Sequence, residues 1–295
     1  MLKRVYKDKI IESVFFIISI SAVLILIGIF AFLFYTGIQA FANISIKEFF
    51  FSSNWNPAAY GEPKWGILSL VVGTIMITAC ALVIAIPLGL ASAIYLSEIA
   101  NQKTREFLKP VIEMIAGIPS VVLGLLGILI LAPLIAKLFG LNSGFNALTS
   151  SLIVAIMILP TIISITEDVL TSIPKEFREA SLALGATKWQ MITKTILPAS
   201  LSGIVAAIML GLGRAVGETM AVLMVAGNSL AMPNSLFDPV RPITANIAIE
   251  IKEVVQGSLH YKALFAIALV LFIMTFIINL ISDIIIQKQV RKYKW

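Results

Sequence analysis

ASLSGIVAAIMLGLGRAVGETMAVLMVA, running from Ala199 to Ala226, decides what kind of molecule this chain is. About 20 consecutive apolar residues suffice to cross the hydrocarbon core of a bilayer. This stretch exceeds that length and admits only two ionisable side chains, Arg214 and Glu218. Arg214 lies 16 residues beyond Pro198, about 24 Å along a helix at 1.5 Å per residue. It therefore falls near mid-membrane, where a charge costs about 2.5–3.5 kcal/mol even on lenient scales. Glu218 follows four residues later on the same face of a continuous helix, and that spacing predicts an ion pair that lowers the cost. Gly213 and Gly217 stand at the small-xxx-small spacing that lets another helix approach closely.

The pattern extends outward in both directions. Of 295 residues, 59% are hydrophobic and only 13% charged, and the mean hydropathy is +0.99; soluble domains carry about 25% charged residues. Six runs are long enough to span, near Val14–Tyr35, Gly66–Tyr95, Phe107–Leu138, Leu148–Ile165, Ala199–Ala226 and Ala263–Ile286. The expected fold is all-α, a polytopic membrane protein with six transmembrane helices. Pro87, Pro119 and Pro133 predict breaks or strong tilts in the second and third runs. The first run, with its basic leader and Ala40-Phe41-Ala42 after it, has the outline of a signal peptide. Its apolar core is longer than the 7–15 residues typical of one, so a retained span is expected. The chain divides into a first span and outer loop (1–65), a core of five spans (66–287) and a basic tail (288–295).

A net charge of +6 does not point to nucleic acid, because the basic residues fall in short clusters between apolar runs. Lys3, Arg4, Lys7, Lys9, Lys103, Arg105, Lys109, Lys175, Arg178, Lys188, Lys194, Lys288, Arg291, Lys292 and Lys294 fall on one side. Only Lys47, Lys64, Lys137, Arg241, Lys252 and Lys262 fall on the other. Positive charge marks the cytoplasm, so both termini are expected inside, in agreement with an even number of spans. Cys80 has no partner for a disulfide, and with one cysteine and one histidine no metal site is expected. Glu113, Glu167 and Asp283 lie near expected cytoplasmic ends, where water or a loop lysine accounts for them. His260 is expected to be solvated in an outer loop.

The segment from Asp168 to Leu197 (168–197) is the longest inside loop, and it carries its own structure. Pro174 suits a first helical turn, and Phe177, Ala180 and Leu184 then share a face. Gly185 is placed to end that helix, and Thr187 with Gln190 has capping-box spacing for a second one running into Pro198. Ala180, Ser181 and Ala183 are small enough for a partner surface to approach. An amphipathic helix lying on the membrane is the plainer reading.

Glu179-Ala180-Ser181, then Gly185, then Leu197-Pro198 resembles the EAA loop of ABC-importer permeases, which reads E-A-A, three residues, G, nine residues, I-x-L-P. Ser181 replaces the second Ala, and Thr195 holds the Ile position. The resemblance implies a MetI-like, type I importer architecture in which this loop couples to a separate ATPase, with Glu179, Ala180, Gly185, Leu197 and Pro198 as the coupling residues. The chain has no G-x-x-x-x-G-K-[ST] segment, so ATP and magnesium belong to the partner and no cofactor is expected here. Asn54-Trp55-Asn56-Pro57, Gly73-Thr74, Ala116 to Val122, Gly213 to Ala221 and Gly257 to Tyr261 are similar to the permeases of bacterial high-affinity phosphate importers. The Trp-Asn-Pro stretch favours the PstC type over its sister PstA.

That resemblance implies a heterodimer with a PstA-like permease, two ATPase subunits and an extracytoplasmic phosphate-binding protein docked near Gly227–Lys262. Ile247, Ile251, Val254 and Val255 are expected to form one face of a short helix in that segment. It also implies that Arg214, Glu218 and Thr219 line the substrate pathway. The chemistry agrees: guanidinium is a planar fork of donors matched to a tetrahedral oxyanion, and Glu218 can accept the proton-bearing oxygen of hydrogen phosphate, which sulfate does not offer. An ion pair that only fixes packing is the bland alternative, although such pairs are often replaceable by apolar residues. Two other readings stand beside phosphate import. One is a permease for another oxyanion such as phosphonate or molybdate. The other is an ion-coupled secondary carrier with Glu218 as proton relay. A passive anchor leaves the mid-membrane charges without a purpose.

Overall fold

The computed structural model describes residues 2–59 and 61–292, with side chains from 11 to 284 apart from residue 60, and at 287. The basic clusters at 3–9 and 288–294 lie outside the described side chains. Among the described residues, six helices are long and apolar enough to cross a membrane: Ile11–Ala42, Leu68–Ile99, Ser120–Phe139, Ala147–Ser172, Lys188–Gly217 and Leu259–Ile284.

In chain order, α1 (Leu2–Ile38) ends in a 3₁₀ turn, and α2 (Ile46–Phe51) leads to a small hairpin of β1 (Trp55–Asn56) and β2 (Lys64–Trp65). Then come α3 (Leu68–Ile94), α4 (Gln102–Ala116), α5 (Ser120–Leu126), α6 (Ala132–Phe139) and α7 (Ala147–Ser172). The chain finishes with α8 (Lys175–Ala183), α9 (Lys188–Met191), α10 (Leu197–Gly217), α11 (Met220–Val225), α12 (Ile243–Glu250) and α13 (Leu259–Lys292). Three π turns, Tyr95–Ile99, Gly127–Leu131 and Ile192–Ile196, extend α3 and join α5 to α6 and α9 to α10. The last two come just ahead of Pro133 and Pro198, whose missing N–H groups interrupt the regular ladder.

The third expected span, Phe107–Leu138, is not one helix. Gly117 and Ile118 interrupt it, and α5 restarts behind Pro119. What precedes the break is α4, an amphipathic helix with no buried residue, capped by the Asn101 side chain accepting from the Thr104 N–H at 2.8 Å. Its charged side faces the end of α7, and its apolar residues Phe107 and Met114 are exposed. Pro87, by contrast, sits inside an unbroken α3.

The core is built around α7. Its residues Ile158 and Ile162 are buried between α3 and α10, in one apolar cluster with Ile77, Ala81, Ala85 and Ala215. The close approach depends on two glycines: a Cβ at Gly89 of α3 would meet Ile162 Cγ2 at 2.7 Å, and one at Gly211 of α10 would meet Ile162 Cγ1 at 3.0 Å. Helix α10 runs antiparallel to α7, as Gly203 meeting Val169 while Gly211 meets Ile162 requires, and α3 runs parallel to α7, since Gly89 meets Ile162 and Ala93 further on clusters with Leu170. By contrast, α1 touches the body chiefly along α13, through ring pairs such as Phe30–Phe272 at 5.5 Å and Phe32–Phe265 at 5.3 Å. Its remaining apolar surface is exposed, the arrangement expected where lipid is the solvent.

At the end where α3 begins, the hairpin, α12 and α13 close over a second apolar cluster that includes Phe49, Trp55, Ile67 and Ile267. Glu250 organises it. Its carboxylate accepts from Trp55 Nε1 at 3.0 Å, stands 2.8 Å from His260 Nε2 and 3.4 Å from Arg241 Nη1. His260 also lies against the rings of Trp55 and Trp65, so the expectation of a solvated histidine is corrected. Burial pushes the Arg241 guanidinium below its ordinary value, and the nearby Glu250 charge offsets part of that. Of the outer helical face, Ile247, Ile251 and Val254 pack on this cluster, but Val255 is exposed, because regular helix stops at Glu250. Glu250→Ala deprives Trp55 Nε1 and His260 Nε2 of their acceptor and Arg241 of its carboxylate, and breaking a buried charged pair costs about 3 kcal/mol or more. It is expected to lower the unfolding temperature of the detergent-solubilised protein well below that of a Glu253→Ala control. Equal melting of the two variants would refute this role for Glu250.

Candidate functional site

Arg214 sits in the last turn of α10, which stops at Gly217. Glu218 has extended backbone, Thr219 follows in the break, and α11 restarts at Met220. The expected ion pair on one continuous face is therefore absent: the helix is interrupted between its two members. Arg214 Nη1 donates to Thr161 Oγ1 on α7 at 3.3 Å. Glu218 Oε1 accepts from the Ala221 N–H at 3.0 Å, capping the first turn of α11. Each charge thus stands at a helix end. A cation is favoured at a helix C-terminus, and a carboxylate is favoured at an N-terminus where N–H groups lack partners.

The break is stitched to its surroundings by threonines. Thr244 Oγ1 donates to the Glu218 carbonyl at 3.0 Å, and Thr74 Oγ1 accepts from the Ile243 N–H at 3.0 Å. Thr219 Oγ1 turns back to the Gly217 carbonyl at 3.2 Å. These bonds leave one oxygen of Glu218 and most of the Arg214 donors without a partner among the described residues. Both side chains are half-buried, and Gly213 and Gly217 are exposed with open space where a Cβ would stand. Thr161 lies 14 residues into α7 and 11 from its end, about 21 and 17 Å respectively, so the guanidinium is at mid-depth as expected.

At the other end of α7 stands the loop. Pro174 precedes α8, Gly185 takes a φ of +83° just beyond it, and Thr187 with Gln190 forms a complete capping box. The second helix continues through Leu197 and Pro198 into α10, as the sequence predicts. Nearly all of α8 is exposed, including Glu179, Ala180, Phe177 and Leu182, and Leu184 beyond it is 90% exposed. Only Arg178 and Ser181 turn inward. Ser181 and Thr195, the two departures from the EAA pattern, meet: Thr195 Oγ1 donates to Ser181 Oγ at 3.3 Å. A pair of methyl-bearing residues is replaced by a pair of hydroxyls that satisfy each other.

The loop lysine expected for Glu167 is Lys109, but the Arg105 bond to the same carboxylate and the Glu98–Arg178 pair beneath the loop go beyond that expectation. Glu167, buried at 1% exposure, is bound by Arg105 and by Lys109 Nζ at 2.7 Å, and Lys109 also reaches Asp168 at 2.6 Å. The bond to Asp168, then that to Glu167, raises the Lys109 ammonium above its ordinary value. Its contribution to stability is therefore complete below the ordinary lysine range and lost only at higher pH. Glu98, 4% exposed, is held by Arg178. The available signal was an acid at each of two span ends, opposite basic loops that the charge bias puts on the same side.

The family described as binding-protein-dependent transport system inner membrane component matches residues 85–295. The chain is 41% identical to the probable ABC transporter permease protein YqgH of Bacillus subtilis, over 81% of this chain and 77% of that one. It is 39% identical to the phosphate transport system permease protein PstC of Mesorhizobium japonicum, over 81% and 78%. To the PstC of Pasteurella multocida it is 36% identical, over 83% and 81%. Among solved structures, it is similar to the inward-facing MetNI methionine ABC transporter, with a TM-score of 0.57 at 21% identity, covering 76% of this chain and 94% of that one. A bacterial alginate importer gives a TM-score of 0.58 at 15% identity, covering 75% and 79%. At those identities the likeness is one of fold.

Proposed function

The chain belongs to the family of binding-protein-dependent transport system inner membrane components, and on that premise we propose that it is the membrane-spanning permease of an ATP-driven importer for inorganic phosphate. The likeness to permeases of the PstC type supports the substrate. The observation that carries the proposal is Arg214: a guanidinium at mid-depth, half-buried, held at a helix break by a single hydroxyl. A charge left so lightly paired within a span is costly unless a ligand uses it, and its free planar fork suits a tetrahedral oxyanion. Glu218, with one oxygen uncommitted, stands on the far side of the same break.

In this reading both termini and α8 face the cytoplasm, where positive charge concentrates. The uncovered apolar residues of α8 and Leu184 dock into an ATPase subunit. Hydrolysis takes place there, on the partner's ATP and magnesium, and this chain performs no covalent chemistry. Phosphate delivered by an extracytoplasmic binding protein passes the Arg214 region while the spans alternate between outward- and inward-open states. The face bearing Gly213 and Gly217 meets a PstA-like second permease.

The complete transporter, reconstituted in liposomes, tests this. Phosphate-loaded binding protein is expected to stimulate ATP hydrolysis and uptake together, with sulfate inert and a proton uncoupler without effect. Equal stimulation by phosphonate or molybdate would assign another oxyanion. Uptake that survives ATP removal and collapses with the uncoupler would make the chain a secondary carrier.

A further inference from the structure

Arg178 and Ser181 are the two points at which α8 turns toward the membrane helices, and Arg178 makes much the stronger contact. Its Nε and Nη2 donate to Glu98 Oε2 at 3.2 Å and Oε1 at 2.6 Å. Its Nη1 donates to the Ile173 carbonyl at 2.7 Å, and Nη2 also to the Leu170 carbonyl at 2.8 Å. One guanidinium thus joins three elements: α8, which carries it; the π turn that ends α3, which carries Glu98; and the last turn of α7. The bidentate geometry gives directional rigidity that a point charge lacks, and a cation at the C-terminal carbonyls of α7 is favourable in its own right.

The clamp sits over a small apolar cluster of Ala93, Leu170, Met191, Ile192 and Ile196, which draws the α9–α10 helix into the same unit. A displacement of α8 is therefore delivered to α3 and α7, packed in parallel along their length, and to α10, whose far end carries Arg214. Glu98 has no other hydrogen-bond partner among the described residues. We infer that Arg178 is a positioning residue for transport: through Glu98 and the Leu170 and Ile173 carbonyls it transmits the movement of α8 into the helices that line the substrate path. The inference rests on the reading of the chain as an ATP-driven permease.

The test uses the complete reconstituted transporter and reads phosphate taken up per ATP hydrolysed. In Arg178→Gln, basal hydrolysis is expected to persist while uptake per ATP falls about tenfold or more, the scale expected when a buried hydrogen-bonded charge loses its partner. Arg178→Lys keeps the charge but cannot span carboxylate and carbonyls together, and is expected to fall between Gln and wild type. Glu98→Gln leaves the carbonyl bonds in place and is expected to show a smaller loss in the same ratio. Wild-type uptake per ATP in Arg178→Gln or in Glu98→Gln would overturn the inference. So would failure of both to assemble, which would assign the pair to folding alone. A wild-type complex that hydrolyses ATP without any response to phosphate would instead sink the importer reading.

Discussion

Arg214→Ala is expected to lower phosphate uptake by the complete transporter about a hundredfold or more, with the complex still assembled. The magnitude follows from the charge-assisted bonds lost: truncating one partner of a buried charged contact costs about 2–5 kcal/mol, and each 1.4 kcal/mol is tenfold. Assembly is expected to survive because the guanidinium makes only one described side-chain bond, to Thr161 at 3.3 Å. A residue that served packing would hold more. Arg214→Lys restores the charge without the fork and is expected to recover only part of the loss. Glu218→Gln separates the two functions of the carboxylate. Its amide oxygen still accepts from the Ala221 N–H, so the break in the helix is kept, while the negative charge is gone. Measured with competing sulfate, the Gln variant is expected to lose discrimination between the two anions. Wild-type uptake in Arg214→Ala would remove the guanidinium from the pathway. Undiminished sulfate rejection in Glu218→Gln would remove the carboxylate from selectivity.

What the sequence disclosed about this region, and what it concealed, have one cause. Hydropathy measures whether a segment is comfortable in lipid, so all six spans and the anomaly at Arg214 are legible. It is blind to where a helix inside the run stops. Gly213 and Gly217 carry a packing signal and a flexibility signal at once, and the i, i+4 rule assumes the helix continues. It does not, so the two charges find helix ends instead of each other. The same blindness merged α4 with α5. Lys103, Arg105, Glu106, Lys109 and Glu113 before the Gly117–Pro119 break show a charged face, but the average over the run hides it. The loop after α7 is read correctly in detail because its signals are local: Pro174, Gly185 and the Thr187–Gln190 box each act within a few residues. The Trp55–Glu250 bond joins residues 195 positions apart. No local rule reaches that distance.

Gly185→Val is expected to uncouple hydrolysis from transport, with uptake reduced to a few per cent of wild type while basal ATPase activity remains. Nothing lies within 4 Å of the position a Cβ would occupy there, so the effect is one of backbone and not of space. At φ +83° a β-branched residue is strained by about 1–3 kcal/mol. The chain can relieve that strain only by shifting the turn between α8 and α9. Such a shift rotates α8 against the capping box at Thr187 and displaces the surface formed by Phe177, Glu179, Ala180, Leu182 and Leu184. Most of that surface has no partner among the described residues, so apart from the Arg178 and Ser181 contacts on the inner side of α8 the membrane bundle keeps its packing, and its melting temperature is expected to change little. Glu179→Ala probes the same surface without touching the backbone: the side chain is exposed and forms no ion pair among the described residues. It is expected to weaken copurification of the ATPase subunit and lower uptake in proportion. If both variants copurify and transport normally, α8 is an interfacial helix on the membrane and not the docking element. If Gly185→Val melts early while Glu179→Ala is silent, the loop serves folding alone.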